Sequence, residues 1–350
     1  ILMWGLSFDT FSLSGIVSQT TASGNGGNII VSAPDVTLQD MGQIRSFTTS
    51  PLAGNAGTGG AIDISAPGTL SISGFSDDFG IASGIFSTGE YGNSGSVSIS
   101  GGAVNVSHRG IILTSQNLNG SAGNITLDVS NFGLTSGAEI RTESGSSGIP
   151  SSGTIKIQAS DTVLISGQFD TSTPSRISNE SHSILGSNGG IDIQASQFLM
   201  SDGGNILSNT DASEGGTIHV SASNSITMAS GAEMINRRGS IEFGSFSLSA
   251  SSIMLDQSVI RSRTFGDHDA GEITLSATGS NLVLSNDSHI LTSTVGGSGT
   301  AGAIVVSAFD SVLMSSGSTI ESASDNTASG NGGSVTVTAQ NLVSLTGTGT

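Results

Sequence analysis

The sequence predicts an all-β protein folded as a right-handed parallel β-helix of about eleven turns, each about 30 residues long and built from three short strands. Three observations predict this fold. A short motif recurs along the chain, in which a glycine is followed by two apolar residues at alternate positions. Apolar and polar residues alternate as in a strand with one buried face, and no stretch has the helical period. Glycine and asparagine cluster between these strands, where the chain must bend.

The first apolar residue of each copy of the motif marks one turn of the predicted β-helix. These anchor residues are Ile29, Ile62, Val97, Ile125, Ile155, Ile191, Ile218, Phe246, Ile273, Ile304 and Val335. A single copy has no core against which to bury its apolar face. When equivalent strands stack on successive turns, the anchors fill the interior and the backbone groups of neighbouring turns form hydrogen bonds.

Two weaker copies of this motif within each repeat predict the second and third strands of each turn. Val104–Val106 is typical of the second strand, and Ile140 centres a third strand. We expect the Gly-Asn-Gly-Gly corners at 24–28 and 330–333 to provide positive φ angles. We also expect differences in repeat length to fall in one corner loop. Four methionines are expected to fill the core: Met200, Met228, Met254 and Met314.

Composition excludes several classes of function. Nine basic and 27 acidic residues give a net charge of −18, which repels nucleic acid and anionic lipid. Without cysteine there is neither a disulfide framework nor a thiolate metal site. No apolar run reaches the roughly 18 residues of a membrane span, and the opening residues 1–4 do not have the features of a signal peptide.

The repeat covers nearly the whole chain, so we expect one β-helix domain over residues 1–350. Because the chain begins without an initiator methionine and ends within another repeat, we interpret it as a fragment of a longer protein. Residues 1–15 are then an incomplete first turn, and residues 340–350 an incomplete last one.

Three motifs carry a family resemblance: the Gly-Asn-Gly-Gly corner, the strand phrase at 60–66 and 216–222, and the Ser-Gly-Ala-Glu-Ile turn at 136–140. With them the chain resembles the repeat region of filamentous haemagglutinin-like exoproteins, the secreted partners of two-partner secretion systems. The resemblance implies a secreted, cell-surface protein of a Gram-negative bacterium or cyanobacterium. It also implies export through an outer-membrane transporter and a role in adhesion, aggregation or biofilm. Autotransporter passengers share the β-helix, so that export route stays open.

Three motifs were weighed as sites of chemistry, and none is expected to be catalytic, to bind a metal or to hold a cofactor. Asp77-Asp78 is the adjacent acidic pair, but it lies in a predicted loop without further carboxylates in register. Asp267-His268-Asp269 offers possible metal ligands without a fourth group, so we expect a hydrated turn. The stretch 297–302 matches a dinucleotide-binding fingerprint, but a strand rather than a helix follows it.

Charged residues at outward positions are the remaining candidates for binding. Lys156, Asp192 and His219 are predicted to lie on successive turns, as an exposed charge ladder or as weak contacts to a glycan. The pairs His108-Arg109 and Arg237-Arg238 are isolated cations that either aid solubility or touch an anionic glycan.

The sequence therefore predicts a non-enzymatic adhesin or structural rod, with glycans or proteins of a host, a neighbouring cell or the matrix as partners and nucleic acid excluded. The alternative is a β-helical polysaccharide lyase or hydrolase, or a glycan-binding module. Such an enzyme would carry carboxylates and a basic residue stacked on two or three adjacent turns. We expect no such stack in this chain.

Overall fold

The computed structural model describes residues 14–21, 23–49, 57–118, 120–183, 185–211, 215–238 and 244–347. Throughout these residues the regular elements are β-strands, and no helix occurs. Two parallel sheets of 11 and 16 strands run along the molecule, and one short hairpin projects from them. The chain is a parallel β-helix, so the predicted fold class is confirmed.

Sheet A, the 11-stranded sheet, holds the third strand of each turn. Its strands are β1 Gly15–Thr20, β4 Gln43–Thr48, β8 Gly84–Gly89, β10 Ile111–Gln116, β12 Glu139–Ser144, β15 Arg176–Ser181, β17 Asn205–Thr210, β19 Glu233–Arg238, β21 Val259–Phe265, β24 His289–Val295 and β27 Thr319–Ser324.

Sheet B, the 16-stranded sheet, holds the first and second strands, which are continuous in some turns. Its strands are β2 Ile29–Ser32, β3 Val36–Gln39, β5 Ile62–Ser73, β9 Val97–Ser107, β11 Ile125–Thr135, β13 Ile155–Ala159, β14 Thr162–Ser166, β16 Ile191–Ser201, β18 Ile218–Ala229, β20 Phe246–Asp256, β22 Ile273–Ala277, β23 Leu282–Ser285, β25 Ile304–Ala308, β26 Ser311–Ser315, β28 Val335–Ala339 and β29 Leu342–Thr346. The antiparallel hairpin is β6 Phe75–Ser76 with β7 Ile81–Ala82.

The register of the turns agrees with the sequence pattern at every anchor. Each of the first ten anchors pairs with the anchor of the next turn, from Ile29 opposite Ile62 to Ile304 opposite Val335. Turns are numbered here by these anchors, so that turn 1 begins at Ile29 and turn 5 at Ile155. The anchors from Ile29 to Ile304 are buried and form one continuous core with the apolar residues of the other strands.

Sheet A also buries a column of polar side chains, two residues after the apolar residue that centres each third strand. The column contains Ser46, Ser87, Thr114, Thr142, Asn179, Ser208, Asn236, Ser262 and Thr292. Some of these side chains donate to a glycine carbonyl at the next corner. The Thr114 hydroxyl donates to Gly123 O at 2.6 Å, and the Thr142 hydroxyl donates to Gly153 O at 3.0 Å. The column thus supplies partners to backbone groups that the corner leaves unpaired.

A column of glycines lies at the corner before the first strand. Its members are Gly60, Gly95, Gly123, Gly153, Gly189, Gly216, Gly244, Gly271, Gly302 and Gly333. A Cβ atom at any of these positions would overlap the carbonyl oxygen of the glycine one turn below, well inside the 3.0 Å that real Cβ contacts keep. No glycine of the two Gly-Asn-Gly-Gly corners has a left-handed φ. The expectation of positive φ there was wrong. Several of these glycines instead serve the close approach of successive turns, since an added Cβ atom at Gly26 would overlap Gly60 N and one at Gly330 would overlap Gly299 O.

The expectation of a single variable loop was also wrong: the bend between first and second strands differs by one or two residues, and repeat length varies more strongly at two corners. One is the corner between the third strand and the next first strand. The other lies between the second and third strands, where residues 74–83 of turn 2 and 167–175 of turn 5 are inserted. The remaining turns have two or three residues at that second corner.

The methionine prediction holds for only part of the set. Met200 and Met228 are buried in the core, and Met314 packs against it. Met254 is 42% exposed because it lies between the inward residues Ile253 and Leu255 of its strand. Alternation therefore turns its side chain outward.

Residues 1–13 and 348–350 lie outside the described residues, so the predicted incomplete turns at 1–15 and 340–350 stay predictions in large part. Within the described ranges, no helix is long and apolar enough to cross a membrane.

Candidate functional site

The structure places Lys156, Asp192 and His219 side by side on the outer face of sheet B. Lys156 is the register partner of Asp192, which is in turn the register partner of His219. Adjacent strands of a sheet lie about 4.8 Å apart, so the three side chains share one surface. Each of these residues is partly buried. The geometry agrees with the predicted ladder, and their role in binding a glycan stays a prediction.

The two oxygens of the Asp192 carboxylate have different surroundings. Gln194 Nε2 donates to Asp192 Oδ2 at 3.2 Å. The second oxygen, Oδ1, is buried without a hydrogen-bond partner, and no ion pair joins Asp192 to Lys156. A buried acceptor without a partner is costly in a folded protein.

An open groove adjoins the ladder where the chain bends from first to second strand. Its lining residues are Asp128, Gln158, Ala159, Ser160, Gln194, Ala195, Ser196 and Ser223, from turns 4 to 7. Gln158 and Gln194 stand two residues beyond Lys156 and Asp192, and therefore on the same face. The groove offers amide, hydroxyl and carboxylate groups, which are suited to a ligand rich in hydroxyl groups.

The groove has poor geometry for glycoside hydrolysis. Asp128 is the acidic residue of its lining, and Asp192 of the adjoining ladder lies two turns and two residues away. Strand spacing and residue rise then separate their Cα atoms by about 12 Å. Glycosidases hold their two carboxyl groups about 5 to 9.5 Å apart. The lining therefore offers hydrogen-bonding groups and no pair of carboxylates.

The structure also reveals a charged network on the outer face of sheet A that the sequence analysis missed. Glu143 is the register partner of Glu180, and Glu139 that of Arg176. Arg176 pairs with Glu139 at 2.5 Å and lies 3.9 Å from Glu180. Glu143 lies 3.2 Å from His182 Nε2. The expectation that carboxylates and basic groups do not stack on adjacent turns was wrong.

The members of the network lie on the third strand, whose apolar pattern is weaker than that of the first strand. Aligning the third strands by Ile140 and Ile177 places Glu143 and Glu180 in register. Two like charges directly opposite each other destabilise a sheet, and the neighbouring cations offset that repulsion.

Two motifs that the sequence analysis treated separately meet in the structure. Arg109 Nη1 donates to Asp77 Oδ1 at 2.9 Å, although 32 residues separate them. The Arg109 guanidinium also stacks on Phe75, with Cζ 3.4 Å from the ring centroid. Neither Phe75 nor Phe169, which lies on the other side of Arg109, was identified as a candidate. The signal that could have found them is the unusual length of repeats 2 and 5.

The loop Asp267-His268-Asp269 has a structural role. Asp267 Oδ1 accepts from the backbone N–H and the hydroxyl of Ser298 on the next turn, at 2.9 and 3.1 Å. These hydrogen bonds hold the pKa of the Asp267 carboxyl below its ordinary value. Asp269 Oδ1 accepts from the N–H of Thr300 at 2.8 Å. Both carboxylates therefore join successive turns rather than standing free in a hydrated loop.

Chelation with EDTA is expected to leave the melting temperature unchanged. Asp267 and Asp269 each direct one oxygen to the next turn, and among the described residues no group of three or more potential metal ligands comes together. The measurement is a thermal melt with and without EDTA. A fall of many degrees, reversed by added calcium, would show that a metal stabilises the fold.

The remaining sequence motifs do not assemble a site. The stretch 297–302 is followed by strand β25, so it lacks the helix that a dinucleotide-binding loop requires. Arg237 is exposed on strand β19, and Arg238 ends that strand.

Comparison with known proteins finds no matching family model, no matching curated protein and no matching solved structure. The resemblance to haemagglutinin-like exoproteins therefore rests on the repeat motifs of the sequence alone.

Proposed function

We propose that the chain is a non-enzymatic adhesin or structural rod, secreted or held at the cell surface, which mediates adhesion, aggregation or biofilm formation. The observation that carries this proposal is the unbroken register of the turns. Ten turns with all three strands, from Ile29 to Ser324, make a rod on the order of 50 Å long at about 4.8 Å per turn. Such a rod presents side-chain columns of fixed spacing to an extended partner.

The contact surface in this proposal is the ladder of Lys156, Asp192 and His219 with its adjoining groove. A glycan or a protein of the host, a neighbouring cell or the matrix would lie along it. The partly buried Asp192 carboxylate and the amides of Gln158 and Gln194 would hydrogen-bond the partner. The net charge of −18 disfavours nucleic acid.

Export through an outer-membrane transporter belongs to the same proposal. Its support is the resemblance of the repeats to two-partner-secretion exoproteins, with an autotransporter as the other route. A parallel β-helix without cysteine is compatible with passage as an unfolded chain, because folding then requires no disulfide pairing.

A second candidate function, polysaccharide hydrolysis or lysis, is favoured by Glu143 and Glu180. Their Cα atoms are register neighbours about 4.8 Å apart, close to the separation of carboxyl groups in a retaining glycosidase. Against it, each of the two carboxylates has a cation beside it, His182 and Arg141 for Glu143 and Arg176 for Glu180. A glycosidase keeps one of its two carboxyl groups protonated, which such pairing opposes.

The test measures retention and cleavage together. Immobilised protein is incubated with bacterial cells and with soluble polysaccharides, and bound material, new reducing ends and unsaturated products are quantified. We expect retention without product, and weaker retention after Lys156→Ala, Asp192→Ser and His219→Ala are combined. Ser98→Ala with Ser247→Ala, in the same outward column on other turns, is the matched control.

Product formation that disappears in Glu180→Gln would instead establish the enzyme. Retention that is equal in the triple variant and the control would remove the ladder from the proposal.

A further inference from the structure

The two insertions between second and third strands lie on either side of two turns that have no insertion. Residues 74–83 of turn 2 contain the hairpin of β6 and β7. Residues 167–175 of turn 5 close with an antiparallel bridge between Gln168 and Pro174 and with a hydrogen bond from Phe169 N to Thr173 O at 2.9 Å. Three turns separate the two insertions, which is about 14 Å along the axis. The corners of turns 3 and 4 lie between them.

Arg109, on turn 3, contacts both insertions. Its guanidinium carbon lies 3.4 Å from the centroid of Phe75 in the first insertion and 5.2 Å from the centroid of Phe169 in the second. Its Nη1 atom donates to Asp77 at 2.9 Å. We call the surface formed by Phe75, Asp77, Arg109 and Phe169 the hairpin cleft.

Arg109 occupies a left-handed corner position that recurs between the second and third strands of other turns. Arg109 has a φ of 60°, in the left-handed region. Turns 4, 6, 7 and 10 place a glycine there, whereas turns 1 and 9 place Met41 and Asp287 there, with φ of 69° and 64°. The position therefore accepts residues other than glycine, and what distinguishes Arg109 is its contact with both insertions.

Turn 4, next to Arg109, leaves room for the second insertion at Gly137. An added Cβ atom at Gly137 would lie 2.6 Å from Phe169 Cβ and 2.9 Å from Thr173 O. Only glycine therefore lets the second insertion fold over turn 4 towards Arg109. The cleft is assembled from the two insertions, Gly137 and Arg109, which belong to four successive turns.

The exposed groups of the cleft define the chemistry of its ligand. Phe169 is 46% exposed. Aromatic faces pack on the C–H faces of sugar rings. The Asp77 side chain, 76% exposed, offers hydrogen-bond acceptors, and Arg109 offers donors. The carboxylates of Asp77, Asp78 and Asp170 oppose an anionic ligand.

A cationic ligand fits less well, because Arg109 already occupies the place of a cation. It lies against both phenylalanine rings and neutralises Asp77, so a lysine-rich peptide would have to displace it. A neutral ligand with both apolar faces and hydroxyl groups uses what remains.

We propose that the hairpin cleft is a binding site for a neutral oligosaccharide, with Phe169 packing on a sugar ring and Arg109 and Asp77 hydrogen-bonding its hydroxyl groups. This inference deepens the proposed adhesive function, since it names a ligand class, and it places the contact at a site separate from the Lys156, Asp192 and His219 ladder.

The experiment titrates the whole chain with cellopentaose, maltopentaose and mannopentaose, followed by saturation-transfer NMR. A galacturonate pentamer and decalysine are the anionic and cationic comparisons. We expect at least one neutral pentasaccharide to bind and neither charged probe to compete with it. Arg109→Gly and Phe169→Ala should each weaken that binding by about tenfold or more, as for the central residues of binding sites.

Arg109→Gly is expected to fold at least as well as the native chain, because it restores the residue that other turns carry. Arg263→Ala removes a guanidinium that lies 4.8 Å from the ring of Phe265, outside the cleft, and should leave binding unchanged. The inference is overturned if no neutral pentasaccharide binds, if binding survives both cleft variants, or if only decalysine binds.

The same titration on the triple variant of Lys156, Asp192 and His219 separates the two proposals. Binding of the pentasaccharide should persist there. If the cleft variants do not weaken binding, the cleft proposal is wrong, but the proposals for the ladder and for the adhesive rod are unaffected. Product formation from polysaccharides would instead contradict the adhesive function, and the cleft could still be a sugar-binding site.

Discussion

Gly153→Ala is expected to lower the free energy of unfolding by about 3 kcal/mol or more, as for a severe case of overpacking. The new Cβ atom would overlap Gly123 O, a backbone atom of the turn below that cannot move without shifting the whole strand. The carbonyl of Gly153 is also fixed, because it accepts from Thr142 Oγ1 at 3.0 Å and from Asn179 Nδ2 at 2.5 Å. Urea denaturation followed by circular dichroism measures the loss.

Gly24→Ala is the matched control for this prediction, at the equivalent type of corner. The atom nearest to an added Cβ at Gly24 is Thr20 Oγ1 at 3.7 Å, an ordinary contact, and its φ is not left-handed. This variant should change stability by less than about 0.5 kcal/mol. If Gly153→Ala were as harmless as Gly24→Ala, the glycine column would not be the reason for the repeated glycines.

Ile193→Asp is expected to cost several kcal/mol, because it buries a carboxylate without a partner. Ile193 is fully buried, and its register partners are Ile157 on turn 5 and Val220 on turn 7. Neither residue can donate a side-chain hydrogen bond to the new carboxylate. The urea midpoint should fall sharply, and proteolysis should begin near turns 5 to 7, where the stack is broken.

Asp192→Ser changes the neighbouring residue and should cost less than about 1 kcal/mol. Its side chain faces outward, and one of its oxygens already has no hydrogen-bond partner. Equal losses from Asp192→Ser and Ile193→Asp would mean that the inward and outward faces of strand β16 had been exchanged.

The candidate sites were predictable to different degrees. Lys156, Asp192 and His219 came together as expected because each lies one residue after an anchor, and the anchors fix the register. Glu143 and Glu180 could have been found in the same way from the third strand. The approach of Arg109 to Phe75 and Phe169 could not, because the insertions that carry the rings have no counterpart in other turns from which a position could be read.

The sequence by itself determined the fold class, the three strands of each turn and the register of all eleven anchors. It could do so because a stacked solenoid gives equivalent residues the same environment every 30 or so positions, and the apolar pattern records that environment. The tertiary structure alone decided which groups meet between turns. Gly153 is required because the carbonyl of the turn below approaches too closely for a side chain, and Arg109 meets Asp77 because one insertion folds back over the next turn. Both depend on distances between turns, which the alternation of apolar and polar residues does not encode.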